Sequence, residues 1–545
     1  MSITGLHYFL PSWVQPADET LEVDLCVYGG NASGVVAAVK ASRLGLSTVL
    51  LQPGQHLGGM TTGGLGWTDF GRKHVIGGMA RDFYRRIGVR KGVEEEWAFW
   101  PSEASAVVDE LIAEAGIDVR LAQYLDAVAM DGPRIVAITL LGGLTVRAKC
   151  FVDASYEGDL LARAGVSYHV GRESNATYGE TLNGVQCMNK HQFSLGGVDE
   201  SNPVHIDPFV VAGDPASGLL PGVEARDLRK DAGQADRKVQ AYNFRVCMTD
   251  DPDLKIDWQA PAGYDPRLYE LAVRWFAHEP GPGDWSGSRV YGSDGRPQDR
   301  VRKFDVLSSR TPSGHRKTDS NNHGPVSSDF IGANYLWPEA DYAVREVVFQ
   351  RHVAYQRGLY YFMANDDRLP EDLRRAYGVW GLPKDEFVDT DHWPHQLYPR
   401  EARRMVAELV VTEADCRAER VADDSVGMGS YTMDSHNCSR FVGEVDGKPS
   451  VMNEGDVQVP PTDPYPVSYR AIVPARGECA NLVVPVCFSA SHIAYGSARM
   501  EPVFMVLGES AACAASLAIH EGVDVQDVAY GKLRSMLDDA GQVLG

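Results

Sequence analysis

Two short stretches gather side chains that can move protons and hold charge. SASHIAYGSARMEP, residues 489–502, carries His492 and Arg499, and MDSHNCSR, residues 433–440, carries Asp434, His436 and Arg440. Removing hydride from an alcohol or amine leaves a proton to be taken up, and a neutral imidazole is the natural base near neutral pH. A guanidinium can hold anionic charge as it develops on a substrate or acceptor. His492, or failing it His436, is therefore expected to accept the proton, with Arg499 holding the charge. Run backwards, the same groups would reduce a conjugated alkene. The bland alternatives are a structural ion pair for Arg499, with Glu501 or an acid of the middle segment, and a capping or packing role for His492. Arg245 sits in the apolar run AYNFRVCMT, where an unpaired charge is costly, so an acid partner or an anionic ligand is expected, the ion pair being favoured. KTDSNNHGPVSSDF, residues 317–330, is too polar for core and reads either as cleft lining or as surface.

The elements that would position these groups read as α/β at both ends of the chain. Near the start, LCVYGGNASGVVAAV (25–39) is a buried strand, a Gly-rich elbow and a helix expected over 34–44, followed by a strand at 47–51. The elbow resembles G-x-G-x-x-G, with Asn31 in place of the second glycine, and Gln52 stands where an acid usually grips a ribose. Asn tolerates left-handed backbone, and Gln52 can still hydrogen-bond a ribose. A helix beginning near Ser33 would aim N–H groups at phosphate. QHLGGMTTGGLGWTD (55–69) adds two Gly-Gly pairs, which suit the approach of backbone to a broad flat ring. FVDASYEGDLLARAG (151–165) supplies a strand end and turn. At the other end, NLVVPVCF reads as a strand, 489–502 as a polar loop, and VFMVLGESAACAASLAI as a helix with Pro502 near its first turn. That helix N-terminus would favour negative charge on a bound ring. Between them, YAVREVVFQRHVAY and YPREARRMVAELVV read as helical.

Together these motifs resemble the FAD-dependent oxidoreductases of the glutathione-reductase-type flavin fold, distantly similar to fumarate reductase and succinate dehydrogenase flavoproteins. HLGGMTTGGLGWTD, YEGDLLARAGV, VGRES, GSYTMDSHNCSR and SASHIAYGSARMEPVF carry the resemblance, which spans roughly residues 21–525. It implies an α/β fold: a Rossmann-like FAD-binding domain split into 21–170 and 461–535, with an inserted α+β substrate (cap) domain over 171–460. FAD is the implied cofactor. The implied cofactor-binding residues are Gly29, Gly30, Asn31, Ala32, Ser33 and Gly34 at the elbow and Gln52 and Pro53 after the second strand. His56, Gly58, Gly59, Met60 and Thr62 follow in the Gly-Gly run, with Leu125, Ala154 and Ser155, and then Met500 and Glu501. His56 lies near the position of a flavin-linked histidine in related proteins, one residue out of register, and is expected close to the flavin without a covalent bond. The implied reaction is hydride transfer between a small hydroxylated or carboxylated substrate and the flavin, with an unidentified electron acceptor. An NAD(P)-dependent dehydrogenase and a non-catalytic nucleotide-binding protein are the alternatives.

Composition bounds the partners. The chain has 545 residues, 44% hydrophobic, enough for a large core in two or more lobes. Its formal charge of −22 argues against nucleic acid and anionic membranes. No signal peptide or membrane span is expected. Nine scattered cysteines without a C-x-x-C pair read as reduced thiols in a cytoplasmic protein with no metal site.

Overall fold

The computed structural model of the chain describes residues 5–188, 192–194, 203–278, 316–322 and 324–545, with the short strands Val290–Tyr291, Pro297–Gln298 and Leu307–Arg310. The expected middle segment thus contains undescribed stretches, and His323 of the polar segment 317–330 lies outside the described residues.

A mostly parallel sheet organises the site. Strand β1 (Thr20–Tyr28) ends in four fully buried residues, Leu25 to Tyr28, as a strand covered on both faces must. It leads through the elbow into helix α1 (Ala32–Arg43) and strand β2 (Thr48–Leu51). Helices α2 (Gly78–Lys91) and α3 (Pro101–Ala115) follow, then strands β3 (Asp118–Arg120), β4 (Leu125–Asp131), β5 (Arg134–Leu140) and β6 (Thr145–Asp153). The strand order is β3-β2-β1-β6-β5-β4, and the distant strand β7 (Leu482–Val483) pairs in parallel with the end of β6. Register decides what happens at the C-terminal edge: Tyr28 lies opposite both Leu51 and Asp153. Gly29, Gln52 and Ala154, the residues next in chain, therefore emerge side by side, where open α/β sheets bind ligands.

Apolar clusters cover both faces. On one, Val35 and Val39 of α1 and Phe83 of α2 meet Val107 of α3 and Leu507 of α6 (Glu501–Glu521). On the other, Cys26, Tyr28, Ile138 and Phe151 pack with Leu160, Leu161 and Cys487. A separate aromatic core, including Tyr242, Phe244, Trp258, Trp337 and Trp393, surrounds helix α4 (Tyr342–Asn365). Residues such as Val426, Met433, Val457 and Tyr469 belong to the first of these clusters.

Four expectations are corrected. YPREARRMVAELVV is not helical: it contains the strand Arg403–Met405, antiparallel to Tyr168–Val170. Its charged residues are buried against distant carboxylates, Arg403 on Asp159 and Arg404 on Glu173, and these pairs override local propensity. The loop 489–502 contains a short helix, α5 (His492–Ala498), capped by Ser491, whose hydroxyl accepts from Ala494 N. NLVVPVCF is buried throughout but forms a ladder only over β7. Helix α6 is long and apolar enough to cross a membrane by composition, although no such run was expected. Of its most apolar window, 89% is buried inside the protein, as in a core helix.

Candidate cofactor cleft and active site

The elbow is built from backbone held by side chains. A Cβ on Gly34 would lie 1.8 Å from Gly29 O, so the first turn of α1 can fold back on the strand end only with glycine there. Asn31 is the N-cap of α1: its Oδ1 accepts from Gly34 N (3.1 Å) and its Nδ2 donates to Ala154 O (2.5 Å). Its φ is −71°, so the left-handed backbone invoked for it is not used, and the helix starts at Ala32, two residues earlier than expected. Gln52 Oε1 accepts from Gly30 N (2.7 Å), tying β2 to the elbow.

A cleft opens here, lined among others by Asn31, Gln52, Pro53, Gly59, Ala154 and Ser155. The Ala32 and Ser33 N–H groups in the first turn of α1 have no intrahelical acceptor, whereas Gly34 N is taken by Asn31. Unsatisfied donors beside a glycine elbow fit a dinucleotide diphosphate. Tyr156 joins the cleft wall, its hydroxyl accepting from Met60 N (2.9 Å).

A second cluster lies where α5 presses on the strand Met433–Ser435, so closely that a Cβ on Gly496 would lie 2.5 Å from Asp434 O. His492 Nδ1 is 2.9 Å from both oxygens of Glu401, and its Nε2 is 3.0 Å from Ser435 Oγ. Burial pushes the Glu401 carboxyl up, but His492 outweighs it and holds the group below the usual range. His436 Nδ1 is 2.7 Å from Asp329 Oδ2, and its Nε2 is 3.4 Å from Asp434 Oδ2. Arg499 donates to Tyr398 OH (2.8 Å), Asp434 Oδ2 (3.1 Å) and Gln240 Oε1 (3.3 Å). Against burial, His436 and then Arg499 hold the Asp434 carboxyl at about 2. Arg400 pairs with Asp329 at 3.0 Å, and Arg245 pairs with Asp319 at 2.5 Å and with Asp69 at 3.8 Å. Five carboxylates therefore face three guanidiniums and two imidazoles. The cluster meets solvent at Asp69, whose side chain is 30% exposed, through a cleft lined by Trp67, Phe70, Arg72, Tyr431, Thr432 and Pro461.

The sequence profile described as FAD dependent oxidoreductase matches residues 24–537. The chain belongs to this family. It is an oxidoreductase that uses FAD, which sets aside both the nicotinamide-only and the non-catalytic readings. No curated protein matches it. Similar solved structures include the flavin-dependent brominase Bmp2, with 18% identity over 28% of this chain and 42% of that one, TM-score 0.23. L-amino acid deaminase from Proteus vulgaris has 13% identity over 30% of this chain and 55% of that one, TM-score 0.23. Flavin-containing monooxygenase from Stenotrophomonas maltophilia has 18% identity over 30% of this chain and 45% of that one, TM-score 0.20. The chain thus spans about half the length, or less, of these structures.

For this FAD dependent oxidoreductase, eight of the eighteen expected cofactor residues line one cleft. Gly29, Asn31, Gln52, Pro53, His56, Gly59, Ala154 and Ser155 line it. Gly58 N donates to Gly30 O (2.7 Å), and Thr62 Oγ1 closes the turn on Leu57 O. Gly30, Ala32, Ser33 and Met60 are buried behind the wall. Met500 caps α6, and Glu501 bonds Thr61 and Tyr156. Leu125 stands apart: its N–H donates to Tyr28 OH, and its C=O accepts from Arg163 and Tyr342. His56 stacks on His395, centroids 4.0 Å apart, with its Nε2 2.7 Å from Asp389. Arg440 turns away from His436 to Asn453 and Pro325 O, whereas Arg245 has the acid partner expected of it. Residues 317–320 are buried, and Asp319 and Asp329 from that polar segment both enter the cluster. Sequence reading did not single out Asp329, Glu401, Tyr156 or His395. Acids within otherwise polar or basic runs were the available signal, but no local spacing ties them to their partners.

Proposed function

We propose that this FAD-dependent enzyme oxidises a small hydroxylated substrate that enters past Asp69 and Tyr431, with His436 taking the proton at Nε2. The observation that carries this reading is the Asp329–His436 pair. Asp329 fixes Nδ1 at 2.7 Å and so orients the ring, while Nε2 faces Asp434 at the longer 3.4 Å. A base oriented by a carboxylate is the arrangement proton abstraction needs. His436 is preferred to His492 because its Nε2 has only the longer 3.4 Å contact with Asp434, whereas Glu401 at 2.9 Å and Ser435 at 3.0 Å hold both ring nitrogens of His492. Bound FAD would supply the hydride acceptor, and the chain would supply the base, the orientation and the exclusion of water. Arg499 is committed to Asp434, which supports a hydroxylated substrate over a carboxylated one. All nine cysteines are unpaired, which supports a reducing, cytoplasmic setting.

The test is anaerobic mixing of the yellow protein with a panel of neutral polyols, sugars and hydroxy acids, followed by bleaching of the flavin. With the substrate so found, His436→Asn is expected to slow bleaching by roughly 10²–10⁴-fold at unchanged FAD content. An unchanged rate would move the base elsewhere, and bleaching by hydroxy acids alone would overturn the substrate class.

A further inference from the structure

Glu501 is the first residue of α6 and is 5% exposed. Its carboxyl is 2.8 Å from Thr61 Oγ1 through Oε2 and 2.7 Å from Tyr156 OH through Oε1. Among the described residues no Lys, Arg or His forms an ion pair with it. The groups facing it come from three elements: Thr61 of the short turn Gly59–Thr61, Tyr156 of the turn after β6, and Tyr84 of α2. Both phenols are buried and lie well above the ordinary tyrosine range, so neither carries charge. Arg499, two positions away in sequence, spends its guanidinium on Tyr398 and Asp434.

A buried carboxylate without a cation is expensive, and the N-terminus of α6 with two hydroxyls offsets only part of that cost. We infer that Glu501 stands as a neutral acid in the resting protein and exchanges its proton with the cofactor cleft through the Tyr156 hydroxyl. Burial, only partly opposed by Tyr156 and Thr61, raises its pKa from 4.5 to about 7, which fits this role. The hydrogen-bond inventory closes. With Glu501 ionised, the Tyr156 hydroxyl accepts from Met60 N–H and donates to Glu501 Oε1; with the acid protonated the same 2.7 Å contact reverses, the acid proton going to the second lone pair of the Tyr156 oxygen. The hydrogen of Tyr156 itself then points into the cleft that its side chain lines. When negative charge arrives there, Tyr156 passes its proton outward and takes one from Glu501. The charge left on Glu501 sits at the start of α6, where the helix dipole tolerates it.

This inference needs bound FAD but no substrate, so it stands or falls apart from the proposed reaction. The FAD-loaded protein is followed by infrared difference spectroscopy from about pH 5 to about pH 9, oxidised against dithionite-reduced. The carbonyl band of a protonated carboxylic acid is expected, fading with a midpoint near 7 and shifting on reduction. It should be absent in Glu501→Gln, which mimics the neutral acid. Tyr156→Phe should keep the band and lose its response to reduction, so the inference remains testable if Glu501→Gln fails to fold. Stability gives a further readout. The folded state binds the extra proton between 4.5 and about 7, so wild-type stability falls as pH rises through that window. Glu501→Gln should lack that fall. No band sensitive to Glu501→Gln at any pH, or a band indifferent to reduction in wild type, would overturn the inference.

Discussion

Asn31→Gly restores the glycine that the dinucleotide elbow ordinarily carries, and it should make this elbow worse. The substitution removes two bonds, from Gly34 N to Oδ1 and from Nδ2 to Ala154 O. As an N-cap, Gly in place of Asn costs only a few tenths of a kcal/mol. The bond to Ala154 O matters more, because it is a buried tie between the elbow and the turn after β6. Leaving that acceptor without its donor costs about 1–3 kcal/mol, unless water enters. A loss of about 1–2 kcal/mol in the cleft corresponds to FAD affinity roughly 5–30-fold weaker. For a chain of 545 residues the same loss lowers the melting temperature by only about 1–2 °C, so cofactor affinity is the better assay. The experiment is fluorescence titration of apoprotein with FAD. Asn31→Asp serves as a control that keeps an acceptor for Gly34 N, loses the donor to Ala154 O, and should also bind more weakly. Equal or tighter binding by Asn31→Gly would show that Asn31 is only a tolerated departure and that its two bonds contribute nothing to the site.

Gln52→Ala removes the 2.7 Å acceptor of Gly30 N, and a net loss of about 0.5–1.5 kcal/mol should weaken FAD binding by less than roughly tenfold. Complete loss of the cofactor would assign Gln52 a larger role than one neutral hydrogen bond. His56 is engaged by Asp389 and stacked on His395, so acid precipitation should release the yellow colour into the supernatant. Colour retained on a peptide containing His56 would refute the non-covalent reading.

Some of this was legible in sequence because it is local. A buried run of four residues, a glycine elbow and an alanine-rich helix are consecutive, and β1, the elbow and α1 follow from them with only a shift of the helix start. What Asn31 and Gln52 do was not legible. Each was measured against a motif as a missing glycine or a missing acid, whereas its use depends on Ala154 O and Gly30 N, which the sheet register brings alongside. Helix α5 was missed for another reason. Its length of one to two turns, with Gly496 and Ser497 inside, gives little helical signal, and Ser491 as a cap was the one clue. Residues 398–411 show the opposite failure. Arg400, Arg403 and Arg404 looked like the polar face of a helix, yet each is buried on a carboxylate far away in sequence. Long-range ion pairing leaves no period to read.

The same pairing bears on substrate choice. The net charge of −22 describes the whole chain and says little about a buried cluster of interlocked ion pairs. There Asp434 joins Arg499 from the C-terminal part of the chain to His436 from the middle, and Asp329 joins His436 to Arg400. Removing one member of such a pair strands the other, at about 3–5 kcal/mol for a buried charge. A ligand that brought its own carboxylate would have the same effect, since it would compete with Asp434 for Arg499 and add a further negative group to the cluster. A hydroxyl asks less: it can donate to a carboxylate and accept from a guanidinium without displacing either from its partner. Under the proposed reading the cluster would select against charge on the substrate, whose hydroxyls would meet donors left free in it, such as Arg499 Nε, Arg400 Nε and Gln240 Nε2.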